Sequence, residues 1–425
     1  MGNRVRVLVA GGGWAGCAAA LAAARAGVQA VMCERTDMLL GTGLAGGIMR
    51  NNGRWTAAEE IIALGGGELF LCCDENALHR NLDFPGHRHA SLYNVISLEP
   101  AVRRLLARAG VEVRLETRIV GVISDGRHLE AVRTHEGEEL EAAAFVDATG
   151  TAGPMGNCHR YGNGCVMCML RCPAFGPRVS VSALAGVGEL AAVKRAGHLG
   201  AMSGSCKLPK ASLAPELAQR LSREGVVRLP LPEPLAARSK LGLKACQQYA
   251  LPEYAESVIL LDTGDVKLMS PYLALDDLRR IPGLENAVYT DPKAGGRGNS
   301  VRFTALTPHG PELRVEGREN LFCAGEKCGV LVGHTEAIVT GTLAGHNAAR
   351  VAQARAPVTL PPQLAVGDFV AYTTRVFGTP TGQSQSFTFA GSTYFERMQA
   401  NGLYLTDPED IAGRIRAARA HGLFT

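Results

Sequence analysis

Four thiols crowd into one short stretch of the 425-residue chain, Cys158-x6-Cys165-x2-Cys168-x3-Cys172, followed directly by Pro173. The last three have the C-x2-C-x3-C-P spacing seen in part of bacterial ferredoxin iron–sulfur runs, with the first short step replaced by a longer gap. The same residues could hold structural zinc, although two separated C-x2-C pairs match zinc better. Cys165 and Cys168 could instead be a redox dithiol. All four could also pack as small apolar side chains in a Gly-rich loop. The spacing leaves these readings open. Cys165, Cys168 and Cys172 are therefore candidate catalytic residues, and Cys158 joins them as a candidate metal or cluster ligand.

Other reactive side chains stand alone. His309 and His334 could move protons. Cys206 would gain thiolate character if its side chain met that of Lys207, though a loop cysteine explains it equally simply. Cys323, before Ala324-Gly325, is expected to pack. The adjacent Cys72 and Cys73 are poorly placed to share a metal or to form a disulfide with each other. Two tryptophans, Trp14 and Trp55, are too few for a base-stacking platform.

The elements that must position this chemistry begin at the N-terminus. Val5 to Val9 reads as a buried parallel strand, and Gly11, Gly13 and Gly16 give G-x-G-x-x-G with Trp14 and Ala15 inside it. The turn enters an Ala-rich helix, Ala15–Arg25, closed by Gly27. A second strand, Val28–Cys33, ends at Glu34-Arg35, where an acid meets a ribose hydroxyl in dinucleotide sites. Glycine is needed there because side chains would hold the backbone away from a pyrophosphate, while the helix N-terminus offers it free N–H groups. Leu39–Gly47 is a second Gly-rich loop containing Gly41, Gly46 and Gly47. Thr56–Leu64 is a short helix ending at Gly65-Gly66-Gly67, and the region of His79, His87 and His89 reads as a surface excursion.

From Leu98 the pattern is regular: a helix to Ala109, strands Val111–Leu115 and Arg118–Ser124, a turn at Asp125-Gly126, then strands Leu129–His135 and Glu139–Val146. The last delivers Asp147-Ala148-Thr149-Gly150. Residues 156–300 break the pattern and read as a mixed substrate domain, with Pro230, Pro232 and Pro234 as a rigid link and Ser257–Leu261 as a strand. Strong signals return at Asn320–Glu326 and in the helix Thr335–Arg350. Pro357–Pro362 is a linker, and the remainder is a mostly helical tail with an aromatic-rich turn near Thr379–Phe389.

Composition sets wider bounds. Apolar residues make up 46% and charged residues 20%, which describes a globular chain with ample core, and 51 glycines suit an α/β enzyme with backbone-lined sites. A net charge of +4 without a block of like charges permits an RNA partner but does not demand one. There is no apolar run long enough for a membrane span and no hydrophobic signal core, so a cytoplasmic protein with reduced thiols and no membrane partner is expected.

Gly11–Gly16, Glu34, Asp147–Gly150 and Asn320–Arg350 together resemble FAD-dependent oxidoreductases of the glutathione-reductase-like superfold. More narrowly, Leu321–Glu326, Gly333–Ala337 and Gly341–Arg350 are similar to the GidA family, which includes folate- and FAD-dependent tRNA uracil-5-methyltransferases, and Ala365–Tyr372 looks like the piece that follows in those enzymes. The likeness covers about half the chain and omits the middle. It implies an α/β fold: a doubly wound, three-layer, Rossmann-like FAD-binding domain from residues 1–155 and 301–355, an inserted mixed substrate domain at 156–300, and a helical tail at 356–425.

The resemblance also implies roles. Gly11, Gly13, Trp14, Ala15 and Gly16 would hold the pyrophosphate, Glu34 and Arg35 the adenosine ribose end, and the backbone of Val120 the adenine. Gly41, Gly46 and Gly47 would wrap the inner end of the cofactor, and Ala148, Thr149 and Gly150 would lie near it. Gly325 and Glu326 would approach the ribityl chain, and Gly333, His334 and Thr335 would bring a helix N-terminus to the flavin's N1–O2 edge. Cys172, within a Cys-Pro pair, could be a nucleophile. The main expectation is an FAD-dependent oxidoreductase passing electrons between flavin and a small-molecule substrate or electron donor, through the thiols or an iron–sulfur cluster. The alternatives are a folate- and FAD-dependent tRNA uracil-modifying enzyme, with Arg171, Arg178, Lys194, Arg195, Lys207 and Lys210 as basic contacts, and a non-catalytic FAD-binding maturation factor.

Overall fold

The computed structural model describes residues 6–150, 174–193, 201–203, 206–236, 238–243, 250–269, 273–290, 300–302 and 305–425. The cysteine run, with Arg171, Lys194 and Arg195, lies outside them.

Five short parallel strands form the frame: β1 (Arg6–Ala10), β2 (Gln29–Cys33), β3 (Glu112–Arg114), β4 (Ala144–Asp147) and β5 (Leu321–Cys323), in the order β5-β4-β1-β2-β3. The central strands are buried almost throughout, which is why they read as continuous apolar runs rather than alternating ones. The helices α1 (Trp14–Arg25) and the long α3 (His334–Ala352) pack on this sheet, with α2 (Gly53–Ala63) between them in sequence, and the helix Val95–Arg108 packs beside α1 and β3. Contact between α1 and α3 is backbone to backbone. A Cβ at Gly341 would collide with the Ala15 carbonyl, and one at Gly345 with that of Ala19.

A three-stranded meander, Ile119–Asp125, His128–Thr134 and Glu139–Glu141, shares the apolar core of the frame through Ile119, Leu129, Val132 and Leu140. The sequence suggests one strand over Glu139–Val146. Two are present, because the chain leaves the meander at Ala142 and joins the parallel sheet, where the Ala143 N–H donates to Arg6.

The described part of the middle region centres on a four-stranded antiparallel sheet in the order Cys206–Leu208, Asp265–Met269, Ser257–Thr263, Val226–Pro230. Pro230 ends a paired strand and Glu233–Leu235 is a tight helical turn, so the three prolines do not make one extended link. Ser257–Thr263 is buried at every position, with Val258 and Leu260 in the sheet's own core and Ile259 and Leu261 in a second cluster.

That second cluster corrects the reading of the histidine region. Ala77–Phe84 and His87–Tyr93 form a hairpin whose Phe84, Ala90 and Leu92 pack against Ile259, Leu261 and Met269. The apolar alternation in this stretch was masked by its polar residues. His87 is buried, and Cys72 and Cys73 lie in the helix Glu68–Glu75 within the main core.

Residues beyond 364 form helices Ala365–Val376, Pro380–Ser384, Ser392–Ala400 and Pro408–Ala417. They dock on α2 through a buried carboxylate: Glu60 accepts from the Ala365 and Val366 N–H groups at 3.0 and 2.9 Å and from Arg414 at 2.8 Å. A distant side chain thus caps a helix that its own N-cap residue, Leu364, cannot cap.

Candidate cofactor site

The glycine turn is built as its spacing requires. Gly11 has φ +98°, and a Cβ there would meet the Ala148 carbonyl. A Cβ at Gly16 would collide with the Gly11 carbonyl, whereas one at Gly13 would meet nothing among the described residues within 4 Å. Gly13 is the N-cap of α1 and offers no side-chain cap, so the first turn keeps backbone N–H groups that no cap side chain satisfies. A phosphate suits such a helix end.

Glu34 follows β2, and its carboxylate is fixed by the backbone: Oε2 accepts from the Gly12 N–H at 2.8 Å and Oε1 from the Thr36 N–H and hydroxyl at 2.9 Å. A carboxylate oxygen has capacity for a further donor such as a ribose hydroxyl. Arg35 is turned to the Gly176 carbonyl at 2.6 Å, where it fastens the start of the next described segment. In the meander the pairing passes from Ile119 to Gly121 and skips Val120. A residue skipped in this way has its backbone groups outside the ladder.

The second glycine loop lies against the first. The Leu40 N–H donates to Gly12 at 2.8 Å, and Gly41–Ala45 forms a tight helical turn. Lys207 donates to the Leu44 carbonyl, and Lys267 to that of Gly46 at 2.6 Å. Burial lowers the Lys207 pKa, partly offset by Asp265. A Cβ at Gly46 would collide with both His334 and Tyr93, while one at Gly47 would collide with Thr263.

At the end of β4, Asp147 is fully buried and accepts from Thr149 Oγ1 at 2.6 Å and from the Ser182 N–H and hydroxyl at 2.8 and 2.7 Å. Lys327 Nζ stands 3.6 Å away and also bonds Ser180 at 2.5 Å and Glu189. Burial alone would raise the Asp147 pKa, but Lys327 and these hydrogen bonds hold it below its ordinary value. Ala148, Thr149 and Gly150 are thereby pinned beside Gly11. Gly325, at φ +72°, sends its N–H to Thr340 at 2.9 Å on α3, and Glu326 is half-buried on the same turn.

The N-terminus of α3 completes the arrangement. Gly333 is its uncapped N-cap, followed by His334 and the buried Thr335. His334 Nδ1 is 3.1 Å from the Tyr93 hydroxyl, and its ring lies 5.4 Å from that of Trp14. Behind Gly333, Arg54 Nε meets Glu336 Oε1 at 3.2 Å, and that oxygen also accepts from Thr388 at 2.7 Å and the Phe389 N–H at 2.8 Å. Two uncapped helix ends, a backbone-fixed acid and the buried Trp14 Nε1, which has no hydrogen-bond partner among the described residues, fit FAD at the strand ends.

The structure thus gathers Gly11, Gly13, Trp14, Gly16, Glu34, Gly41, Gly46, Ala148–Gly150, Gly325 and Gly333–Thr335 around one region. His309 is directed elsewhere, between the carbonyls of Gly310 and Cys328 at 2.8 and 2.9 Å. Cys206 packs in the second core while its neighbour Lys207 is turned to the loop, so the two side chains do not meet as a thiolate pair would need. Sequence reading missed Tyr93, Lys267, Lys327 and Arg54. Each is a single polar residue without local spacing, legible only once the fold brings it in.

Fold and site together define an α/β protein of the FAD-binding, two-helix-end type. Residues 6–155 match the model of FAD-dependent oxidoreductases and residues 262–356 that of glucose inhibited division protein A. Each matched span is less than half of the chain, and over those spans the chain is similar to GidA-like FAD-dependent proteins. Two crystal forms of Aquifex aeolicus GidA share its fold at 18% identity: one covers 99% of this chain and 74% of that one with TM-score 0.68, the other 100% and 77% with TM-score 0.64. Similar curated sequences include the methylenetetrahydrofolate–tRNA-(uracil-5-)-methyltransferases TrmFO of Bacillus cereus, 39% identical over 97 residues, and Enterococcus faecalis, 33% identical over 134 residues. Those matches cover 23% and 31% of this chain and 22% and 27% of the relatives. No helix among the described residues is long and apolar enough to cross a membrane.

Proposed function

We propose that the protein is an FAD-dependent enzyme that modifies a base in RNA, with uracil in tRNA as the substrate class. The observation that carries the cofactor is the convergence of the Gly11–Gly16 turn, the Gly41–Gly47 loop and the uncapped start of α3 on Trp14, Tyr93 and His334. The substrate class rests on the named activity of the TrmFO relatives and is extended here to this chain.

In this reading the α1 N-terminus binds the pyrophosphate, Glu34 orients the ribose, and Val120 offers its backbone to adenine. Bound flavin supplies two-electron donation and acceptance. The uncapped N–H groups at the start of α3 would hold the flavin end of the cofactor and would stabilise negative charge placed beside them. His334 and Tyr93 hold a proton between Nδ1 and the hydroxyl. Lys207 and Lys210 are engaged internally, Lys210 with Asp262 at 2.7 Å, so RNA contacts fall to other side chains.

The full chain loaded with FAD and incubated anaerobically with NAD(P)H to reduce the flavin, tRNA transcripts and isotopically labelled methylenetetrahydrofolate is expected to yield labelled 5-methyluridine, the reduced flavin supplying the two electrons that turn methylene into methyl, and to retain tRNA at low salt. A protein that holds FAD yet neither retains nor labels tRNA would overturn the substrate assignment. The match of residues 6–155 to FAD-dependent oxidoreductases favours a second reading, a flavin oxidoreductase acting on a small molecule. Anaerobic bleaching of the flavin by NAD(P)H or a dithiol, with no dependence on tRNA, would select it.

A further inference from the structure

A buried cluster of donors lies where neither the cofactor reading nor the cysteine run places one. Cys323 is the last residue of β5 and Cys328 closes the turn Gly325–Cys328, while His309 comes from a separate segment. Their ligand atoms all lie within 4.8 Å of one another, and each residue is buried. The two sulfurs are 3.7 Å apart.

The histidine is the informative member. Both ring nitrogens face backbone carbonyls, Nδ1 that of Gly310 at 2.8 Å and Nε2 that of Cys328 at 2.9 Å. A carbonyl only accepts, and a neutral imidazole carries one N–H. One nitrogen therefore points a lone pair at an oxygen unless positive charge sits between them. An Nδ1–H bond to a backbone carbonyl is also how metal-binding histidines are commonly oriented, leaving Nε2 for the ion.

We propose that His309 Nε2, Cys323 Sγ and Cys328 Sγ form a buried binding site for one zinc ion. In a tetrahedral site with Zn–S near 2.3 Å, two thiolates lie about 3.8 Å apart. The observed sulfur separation matches that edge, and the imidazole has to draw in by roughly 1 Å to complete the set. A fourth position is left for a backbone carbonyl or water. Binding releases one proton from each thiol to solvent and changes no oxidation state. Two thiolates, a neutral imidazole and Zn²⁺ sum to zero charge, which suits a buried site. Copper(I) in the same ligands would leave a net negative charge. Lys327, on the same turn, does not oppose the ion because its ammonium is directed to Glu189, Ser180 and Asp147.

The test must separate this site from Cys158, Cys165, Cys168 and Cys172. A full-length variant with all four changed to Ser is expected to retain one zinc per chain after exposure to a mild chelator. It should also take up one Co²⁺ with the ligand-field bands of a tetrahedral thiolate complex, at wavelengths where flavin does not absorb. Adding Cys323→Ser and Cys328→Ser, or His309→Gln in otherwise wild-type protein, should remove one equivalent. A quadruple variant that is folded by circular dichroism yet holds neither zinc nor cobalt would overturn the proposal, and stoichiometric copper(I) in place of zinc would overturn the choice of ion. If the quadruple variant fails to fold, the His309→Gln comparison in otherwise wild-type protein keeps the test decisive: loss of one zinc equivalent supports the site, and an unchanged zinc content overturns it.

Discussion

Lys207 and Lys267 stand directly opposite each other on neighbouring antiparallel strands, and both ammonium groups turn onto carbonyls of the same loop, at Leu44 and Gly46. Like charges in that register ordinarily destabilise a sheet. Here the two cations clamp the loop that lies against the glycine turn, so the second sheet helps shape the cofactor site. Replacing either lysine with Met should weaken FAD binding about tenfold, since a hydrogen bond from a charged donor contributes on the order of 1.5–3 kcal/mol. Titration of apoprotein with FAD, followed by Trp14 fluorescence, measures this. Unchanged affinity in both variants would remove the clamp from the account.

The crossing of α1 and α3 makes a second demand. Gly341 and Gly345 lie against the Ala15 and Ala19 carbonyls, where there is no flexible side chain to yield. Gly345→Ala must push two helices apart, at a cost of about 1–3 kcal/mol for overpacking, even though alanine is the better helix former. Gly413→Ala, where only the distant end of Arg416 comes within 4 Å, is the control and should be neutral or stabilising. Denaturant midpoints of the two variants against wild type decide the point.

The contrast between these glycines shows what a sequence can carry. Gly11, Gly13 and Gly16 were legible because their function is local: a turn, a helix end and a close approach within a few residues. The same holds for β1, β2 and β4, whose unbroken apolar runs announce burial on both faces. Tyr93, Lys267 and Lys327 act across long sequence separations and leave no periodic trace. The histidine hairpin hides its burial for a related reason. Its inward positions, Phe84, Ala90 and Leu92, alternate with polar residues and cross a bulged register, so the pattern resembles a surface strand although a second sheet covers it.

Arg54 and Glu336 form a buried pair behind Gly333, with side chains 6% and 0% exposed. Arg54 also reaches Val332 at 2.9 Å, Thr388 at 3.0 Å and Asn51 at 3.2 Å. Glu336→Ala would strand the guanidinium and should cost about 3–5 kcal/mol, as removal of one partner of a buried pair does. Joining Arg54→Met to it should restore part of that loss, because the stranded charge disappears. A double-mutant cycle from chemical denaturation tests this, and simple additivity would show that the two residues act independently.

His346 supplies the last expectation, a pH dependence. Its ring packs edge-on to Phe424 at 5.2 Å inside α3's buried face, and neither ring nitrogen has a hydrogen-bond partner among the described residues. Burial, aided by Arg350, Arg355 and Arg25, lowers its pKa to about 4. The unfolded chain binds a proton near pH 6.5 that the folded chain refuses, so stability declines as pH falls from there and levels off once the folded pKa is passed. The loss attributable to this residue is at most about 3 kcal/mol. His87, lowered to about 3 chiefly by burial, adds a similar decline that any His346 variant keeps. His346→Leu should therefore gain stability relative to wild type steadily between pH 7 and pH 4, read as the difference in urea midpoints at each pH. A difference that stays flat over that interval would show that the His346 ring is not the proton-refusing group.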